Sequence, residues 1–310
     1  MRGAQMSERH NYGGQAVLEG VMMRGRKGMA VAVRKPDGQI SMYKKIIGQD
    51  SKPAFLKMPV IRGVVNFVDT LVIGMDALMF SANEATGQDE KLSGWEVALT
   101  LLVSLGLFIG LFIVVPNLIV GLVSRIVGGV ILLNLIEGML RLMIFALYLY
   151  GISYMKDIRR LFAYHGAEHK VIAAYEADEP LDKEHVKPHT TLHKRCGTNF
   201  LLIVMFVSII TYSLLGKQVM IERIMTRIVL LPLVAGLAYE LFKLAARKEN
   251  NPFLRAISYP GLQLQKLTTK EPDDGMIEVA LAAFKGALEM DGEPESGLGA
   301  SAKGEEGPVS

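Results

Sequence analysis

Cysteine is nearly absent from this 310-residue sequence, and its scarcity excludes a fold stabilised by disulfide bonds within the chain. The single cysteine, Cys196, rules out an intrachain disulfide, so nothing in the sequence indicates an oxidising compartment. The formal net charge is only +3 at pH 7, and the basic residues lie beside apolar segments, which argues against a nucleic-acid partner. The first 30 residues lack an uninterrupted apolar stretch, so we expect no cleavable signal peptide.

Charged residues are missing from two long segments, residues 97–124 and 196–216. Each segment is long enough to cross the hydrocarbon core of a bilayer, which takes roughly 20 helical residues. Half of all residues are hydrophobic and the mean hydropathy is +0.29, yet 21% of residues are charged. The sequence therefore predicts that membrane-spanning helices and soluble segments coexist in one chain, with the lipid bilayer as a partner.

The predicted fold class is a mainly α-helical membrane protein with a small N-terminal β-rich unit and a cytoplasmic cap. Residues 12–50 form the β-rich unit, because alternating segments flank the turn sequence Pro-Asp-Gly at residues 36–38. Residues 59–82 place polar residues at helical spacing on one stripe, which predicts an amphipathic helix that lies at the membrane interface or packs on the spans. About four transmembrane helices are predicted, in pairs over 97–155 and 198–246, with spans at 97–121, 127–155, 198–216 and 224–246.

The remaining segments form the predicted cytoplasmic cap. It comprises a histidine-rich loop at 156–197 and a C-terminal segment at 251–290, followed by a tail at 291–310 whose composition predicts disorder. Basic residues flank the spans on this side: Lys156, Arg159, Arg160, Lys194, Arg195, Arg247 and Lys248. By the positive-inside rule, we expect a multi-pass plasma-membrane protein with both termini in the cytoplasm.

Histidine is concentrated in one part of the sequence: five of the six histidines lie within 29 residues. His165 and His169 are four residues apart, so on a helix both project from one face about 6 Å apart along the axis, close enough to share a metal ion. Glu168 completes the pattern H-x-x-E-H, the inverted form of a zinc peptidase signature. In that chemistry the histidines bind zinc and the glutamate is the general base.

Three further residues are candidates to complete the ligand set. His193 and Cys196 are separated by two residues, a spacing that suits zinc. Glu240, at the predicted cytoplasmic end of the last span, is the third. Alternative interpretations are that the histidines bind phosphate or backbone at the interface, and that Cys196 is a small buried residue at the start of a span.

Four segments resemble the landmarks of the YqhQ-like family of bacterial and plastid membrane proteins. They are YGGQAVLEGVMMRG, YHGAEHKVIAAYE, HKRCGTNFLLIV and YPGLQLQKLTTKEPDDGMIEVALAAF, which together extend from Tyr12 to about Leu288. Members of that family are usually described as predicted metal-dependent enzymes, so the resemblance implies a membrane protein and a metal but supplies no substrate. Lys194 stands where the family motif commonly has proline, whereas His193, Arg195, Cys196 and Gly197 match.

The leading hypothesis is a zinc-dependent membrane enzyme that hydrolyses a peptide or lipid-linked substrate at the cytoplasmic face. The alternative is a non-catalytic scaffold or assembly factor, in which four protein ligands close a structural metal site. A transporter is the third hypothesis, with Asn134, Glu137 and Arg141 as a polar track through the spans. Glu137 and Arg141 are also close enough on a helix to neutralise each other as a structural ion pair.

Overall fold

The computed structural model describes residues 12–47, 53–86, 93–216, 218–247 and 251–293. Its N-terminal part is an antiparallel sheet in the order β1-β2-β3-β4, which confirms the predicted β-rich unit. The strands are β1 (Gly13–Val17), β2 (Gly20–Arg24), β3 (Gly28–Arg34) and β4 (Ile40–Ile46). The predicted turn connects β3 to β4, where the N–H of Lys35 donates to the carbonyl of Gln39. The rest of the predicted unit, 48–50, and the predicted tail from 294 onward lie outside the described residues.

The remainder of the described chain is almost entirely helical. The helices are α1 (Ile61–Thr86), α2 (Gly94–Ile109), α3 (Val115–Val123), α4 (Val130–Ile152), α5 (Lys156–Glu176), α6 (Lys183–Val186), α7 (Gly197–Ser213), α8 (Met220–Arg247), α9 (Pro252–Thr268) and α10 (Asp274–Asp291). A single π-helical turn, Gly110–Val114, joins α2 to α3 without a break. The predicted histidine-rich loop is thus largely helical, since α5 and α6 lie within it.

Both faces of the sheet are covered, which explains why β3 is apolar at nearly every position. Ala30 and Ala32 face a core that includes residues of α5 and α10. Met29, Val31 and Val33 face the opposite way and pack against α1 around Ala77. The predicted β-rich unit and the predicted cap therefore share one hydrophobic core.

Within the described residues, four helical segments are long and apolar enough to cross a membrane: Ile61–Thr86, Gly94–Val123, Ile131–Ile152 and Ile221–Ala246. Their number matches the prediction, but the set differs. The helix predicted over 59–82 to lie at the interface meets the criterion as α1, whereas α7, where a span was predicted over 198–216, has only 17 residues. The difference arises because α1 carries only a few polar side chains among long apolar stretches.

Helix α1 connects the apolar helices to the sheet. Near its start, the Arg62 guanidinium binds the Glu240 carboxylate of α8, with Nε 2.7 Å from Oε1. Asn66 donates to the hydroxyl of Tyr239, also on α8, at 2.8 Å. Further along, Asp76 accepts from Lys45 of β4 at 2.7 Å. The two halves of α1 therefore have different partners.

Candidate metal centre

Helix α5 carries three of the candidate residues, and a glycine within the motif determines what packs against them. A Cβ at position 166 would collide with the carbonyl oxygen of Lys270. Because Gly166 has no side chain, the segment between α9 and α10 lies directly on α5, where the N–H of Lys270 donates to the carbonyl of Phe162. This close approach places the carbonyl of Thr268 beside His165.

His165, His169 and Cys196 form one cluster. The Nε2 atom of His165 lies 3.2 Å from the Sγ of Cys196. The rings of His165 and His169 have centroids 4.3 Å apart. One ligand atom from each of the three residues lies within 4.8 Å of the others, a spacing that could hold a metal ion.

Backbone carbonyls fix the orientation of both histidine rings. The Nδ1 of His165 lies 2.8 Å from the carbonyl oxygen of Thr268, and the Nδ1 of His169 lies 2.5 Å from that of Thr191. A carbonyl only accepts, so each Nδ1 carries the hydrogen, and in the neutral rings each Nε2 is left with a lone pair. The Nε2 of His169 is buried and has no hydrogen-bond partner among the described residues.

The cluster lies in surroundings that disfavour charge. Burial raises the pKa of Glu168 to about 7, while the charge of His165 and the N–H of Gly14 act in the opposite direction. Burial and the charge of His165 hold the pKa of His169 well below its usual range. Burial and the carboxylate of Glu168 raise the pKa of the Cys196 thiol to about 11. The imidazole of His169 is therefore neutral near pH 7, the form in which it can donate a lone pair.

The other predicted ligands lie outside this three-residue group. The ring of His193 is 5.5 Å from that of His169, but its Nε2 points to Glu176, 3.3 Å from Oε1. Glu240 is engaged in the ion pair with Arg62. The structure therefore brings together His165, His169 and Cys196, places His193 beside them, and gives Glu240 a different partner.

A cavity of about 700 Å³ opens beside the cluster. Its polar wall contains His165, Glu168, His193 and Cys196. Apolar side chains of α1, α4, α7 and α8 form most of the remaining lining, here called the apolar wall: Phe67, Phe145, Leu149, Phe200, Leu201 and Phe242. Asn66 and Tyr239 of the same helices also line the cavity. The cavity thus combines a few converging polar groups with a hydrocarbon-like surface, the usual composition of a small-molecule site.

Three residues of the site could not be identified by reasoning from the sequence. Thr191 and Thr268 act through backbone carbonyls, and a carbonyl leaves no mark on the sequence. Gly14 donates its N–H to Glu168, and a Cβ there would lie 2.7 Å from the carboxyl carbon of that glutamate. The paired glycines at 13 and 14 were the available signal, since a close approach favours glycine.

The fold and the site together define a class of protein: a helical chain with long apolar helices, a small antiparallel sheet, and a His-His-Cys cluster between them. Residues 58–290 match the family described as "Protein of unknown function (DUF1385)". The chain is 35% identical over 296 residues to "Uncharacterized protein YqhQ" of Bacillus subtilis (strain 168), covering 90% of this chain and 93% of that protein. This chain therefore belongs to the DUF1385, or YqhQ-like, family, as its motifs predicted. No solved structure matches it.

The contact between Gly14 and Glu168 predicts a difference between two adjacent substitutions. Gly14→Ala should reduce stability by about 1–3 kcal/mol, because the new methyl group would overlap both Cγ and Cδ of a buried side chain. Gly13→Ala is the matched control, since its Cβ would have no neighbour within 4 Å. Thermal unfolding of the two purified variants measures the difference. Equal stability would contradict the assigned contact.

Proposed function

We propose that this chain is a metal-dependent enzyme of the membrane, with zinc as the metal and hydrolysis as the reaction class. The observation that carries the proposal is the orientation of the two histidines. Each gives its Nδ1 hydrogen to a backbone carbonyl, and the Nε2 of His165 is directed at the Sγ of Cys196. Ligand histidines are commonly held in this way, by a carbonyl on the nitrogen that does not bind the metal.

The donor set fits a divalent metal. An unpartnered, buried acceptor such as the Nε2 of His169 costs about 1–3 kcal/mol, and a bound cation would remove that cost. Two imidazoles and one thiol match the preferences of zinc, which takes nitrogen and sulfur ligands. A cation at this point would also favour the thiolate of Cys196, against the effect of burial.

Three protein ligands favour a catalytic site over a structural one. Zinc in proteins is usually tetrahedral, so three ligands leave one position for water or substrate. The cavity beside His165 and Cys196 gives access to that position. The second candidate function, a scaffold with a structural metal, is favoured by one observation: the ring of His193 lies 5.5 Å from that of His169, so a rotation of His193 could supply a fourth ligand.

The polar and the apolar lining residues of the cavity have separate roles in the proposed reaction. When bound, the metal would supply Lewis-acid chemistry, polarising a bond to oxygen or activating water. Glu168 lies on the same wall and would accept and return a proton at its carboxylate. The apolar wall would bind hydrocarbon and exclude water from the reacting group. The substrate that fits is a peptide or lipid-linked molecule with a hydrolysable polar group next to a hydrocarbon portion.

We also propose that the apolar helices cross the plasma membrane and that the sheet lies in the cytoplasm. α2–α3, α4 and α8 are long and apolar enough to cross, and α7 is a shorter apolar helix between α4 and α8 in the chain. The second half of α1 packs on the sheet, so α1 is not a full crossing in this proposal. Four crossings place both termini on the side of the histidine cluster, where the basic residues flanking the spans are concentrated.

The orientation predicts opposite locations for two loops. A reporter inserted beside Asp182, between α5 and α6, should read cytoplasmic. The same reporter after Gly128, between α3 and α4, should read external, because one crossing, α4, separates that loop from Asp182. Both reporters on one side would refute the four-crossing arrangement.

Metal content tests the ligand assignment. His165→Ala and His169→Ala should each lose stoichiometric zinc, because the remaining two donors are too few for tight binding. Cys196→Ser should weaken zinc binding. The matched control is His185→Ala, since this exposed histidine pairs with Asp182 instead. Elemental analysis of the purified proteins is the measurement, and unchanged zinc in both core variants would refute the site.

A second control tests Glu240, a predicted ligand that binds Arg62 in the structure. Glu240→Gln should leave zinc content unchanged, because its carboxylate binds Arg62. The same variant should lose thermal stability through the broken ion pair. Loss of zinc from Glu240→Gln without loss of stability would instead restore Glu240 as a ligand.

Glu168→Gln separates catalysis from scaffolding. In a catalytic site the variant should keep its metal and fold but fail to complement a deletion strain, because an amide cannot accept a proton. If Glu168 only orients a ligand, metal affinity should instead fall about 10–100-fold and excess zinc should restore function. Glu176→Gln is the control, since Glu176 binds His193 and Arg195 at the edge of the site. Complementation by Glu168→Gln at ordinary zinc levels would favour the scaffold.

A further inference from the structure

A second cavity, of about 540 Å³, lies among the apolar helices. Its walls are formed mainly by aliphatic and aromatic side chains, including Leu107, Phe108, Phe112, Val204, Leu231 and Val234. Two arginines, Arg141 of α4 and Arg227 of α8, line it as well. Phe145 and Leu201 line both this cavity and the one beside the histidine cluster, but none of the three clustered residues lines this one.

The two arginines share one carboxylate. Glu137 accepts from Arg141 at 2.6 Å and from Arg227 at 2.5 Å. Two guanidinium groups and one carboxylate leave a formal charge of one positive unit. Charge among apolar helices is costly and usually marks a functional site or a binding partner. A structural ion pair would need only one of the arginines, so the second one requires another explanation.

The cavity-lining arginines differ in how fully they are bound. Arg227 is almost completely buried and is held by Glu137, by the Oδ1 of Asn117 at 2.9 Å, and by the ring of Tyr212, 5.3 Å from its guanidinium carbon. Arg141 has 16% of its side chain exposed, and its Nε is buried without a hydrogen-bond partner among the described residues. Arg141 is therefore the group with an unused donor, and Arg227 is the group that holds Glu137 in place.

Part of the backbone that lines this cavity is irregular. The π-helical turn Gly110–Val114 places Leu111, Phe112 and Ile113 in the cavity wall. Asn117 donates to the carbonyl of Ile113 at 2.7 Å, which fixes its oxygen toward Arg227. Single π turns inside helices occur frequently at functional sites, because they widen the helix and re-aim its side chains.

We propose that this cavity binds an anionic group carried on a hydrocarbon chain. The anion would accept from Arg141 and balance the excess charge, and the chain would lie against the aliphatic and aromatic walls. The volume falls within the roughly 300–1,000 Å³ of small-molecule sites. Two sources supply this chemistry, the headgroup of an acidic phospholipid and the carboxylate of a fatty acid. This site is independent of the histidine cluster and of the reaction proposed there.

Ligand-dependent thermal unfolding of the full chain tests the proposal. The protein, stripped of lipid in a neutral detergent, would be titrated separately with phosphatidylglycerol, oleate and phosphatidylcholine. We expect one or both anionic probes to raise the unfolding temperature, and phosphatidylcholine to have no comparable effect. Stabilisation by phosphatidylglycerol alone assigns a phospholipid, and stabilisation by oleate alone assigns a fatty acid. Equal stabilisation by phosphatidylcholine would overturn the proposal.

Substitutions locate the binding in this cavity. Arg141→Gln should weaken binding of the anionic probe by about tenfold or more, because a charge-assisted hydrogen bond is lost. The variant should still fold, since Glu137 and Arg227 then form a balanced pair. Arg125→Gln, in the exposed loop between α3 and α4, is the control with the same charge change. Unchanged affinity in a folded Arg141→Gln variant would overturn the assignment.

A third variant tests the cavity without changing any charge. Ser208 lines the cavity, and its hydroxyl donates to the carbonyl of Met205 in its own helix. Ser208→Phe should therefore fill the volume while leaving both arginines and Glu137 intact. Loss of probe binding supports the cavity as the site. Undiminished binding to Ser208→Phe would place the anionic ligand elsewhere and overturn the proposal.

Discussion

The close packing of α5 is the constraint on which the rest of the structure depends. One part of this helix packs with α10 on the sheet, and Gly166 allows the segment after α9 to lie directly on another part. The carbonyl of Thr268 reaches His165 only because of that second contact. A side chain at position 166 would displace the segment and release the ring, so the order of the cluster is a consequence of backbone packing.

Two clusters of buried polar side chains in the described part of the chain are stabilised in different ways. At the histidine cluster, hydrogen bonds to backbone carbonyls orient the two rings. At the arginine cavity, ion pairs stabilise the cluster: Glu137 neutralises the charge of one guanidinium, and the charge of the other is left in excess. Phe145 and Leu201 line both cavities, which makes these two side chains the place where occupancy of one could affect the shape of the other.

Sequence reasoning succeeded where a local pattern determines the geometry. The four-residue spacing of His165 and His169 requires a shared helix face, and the Pro-Asp-Gly turn connects two strands as predicted. The sequence does not reveal contacts between residues that are far apart in the chain. Glu240 was a reasonable ligand by its place in the chain, but its partner Arg62 lies 178 residues away, and no local pattern reveals that pair. The polar side chains of α1 predicted an amphipathic helix at the interface or packed on the spans, and in the structure they bind α8 and the sheet.

The position of the cluster also bears on what it could act upon. His165 lies on α5, which packs with the sheet, Cys196 precedes the apolar helix α7, and the cavity beside them has both polar and apolar lining residues. A soluble substrate would gain little from the apolar wall, and a purely hydrocarbon molecule would present nothing to Glu168. The proposed substrate, with a polar group next to a hydrocarbon portion, would contact both walls. Desolvation of that polar group would strengthen each electrostatic contact it makes, which is the advantage of placing reactive groups at such a boundary.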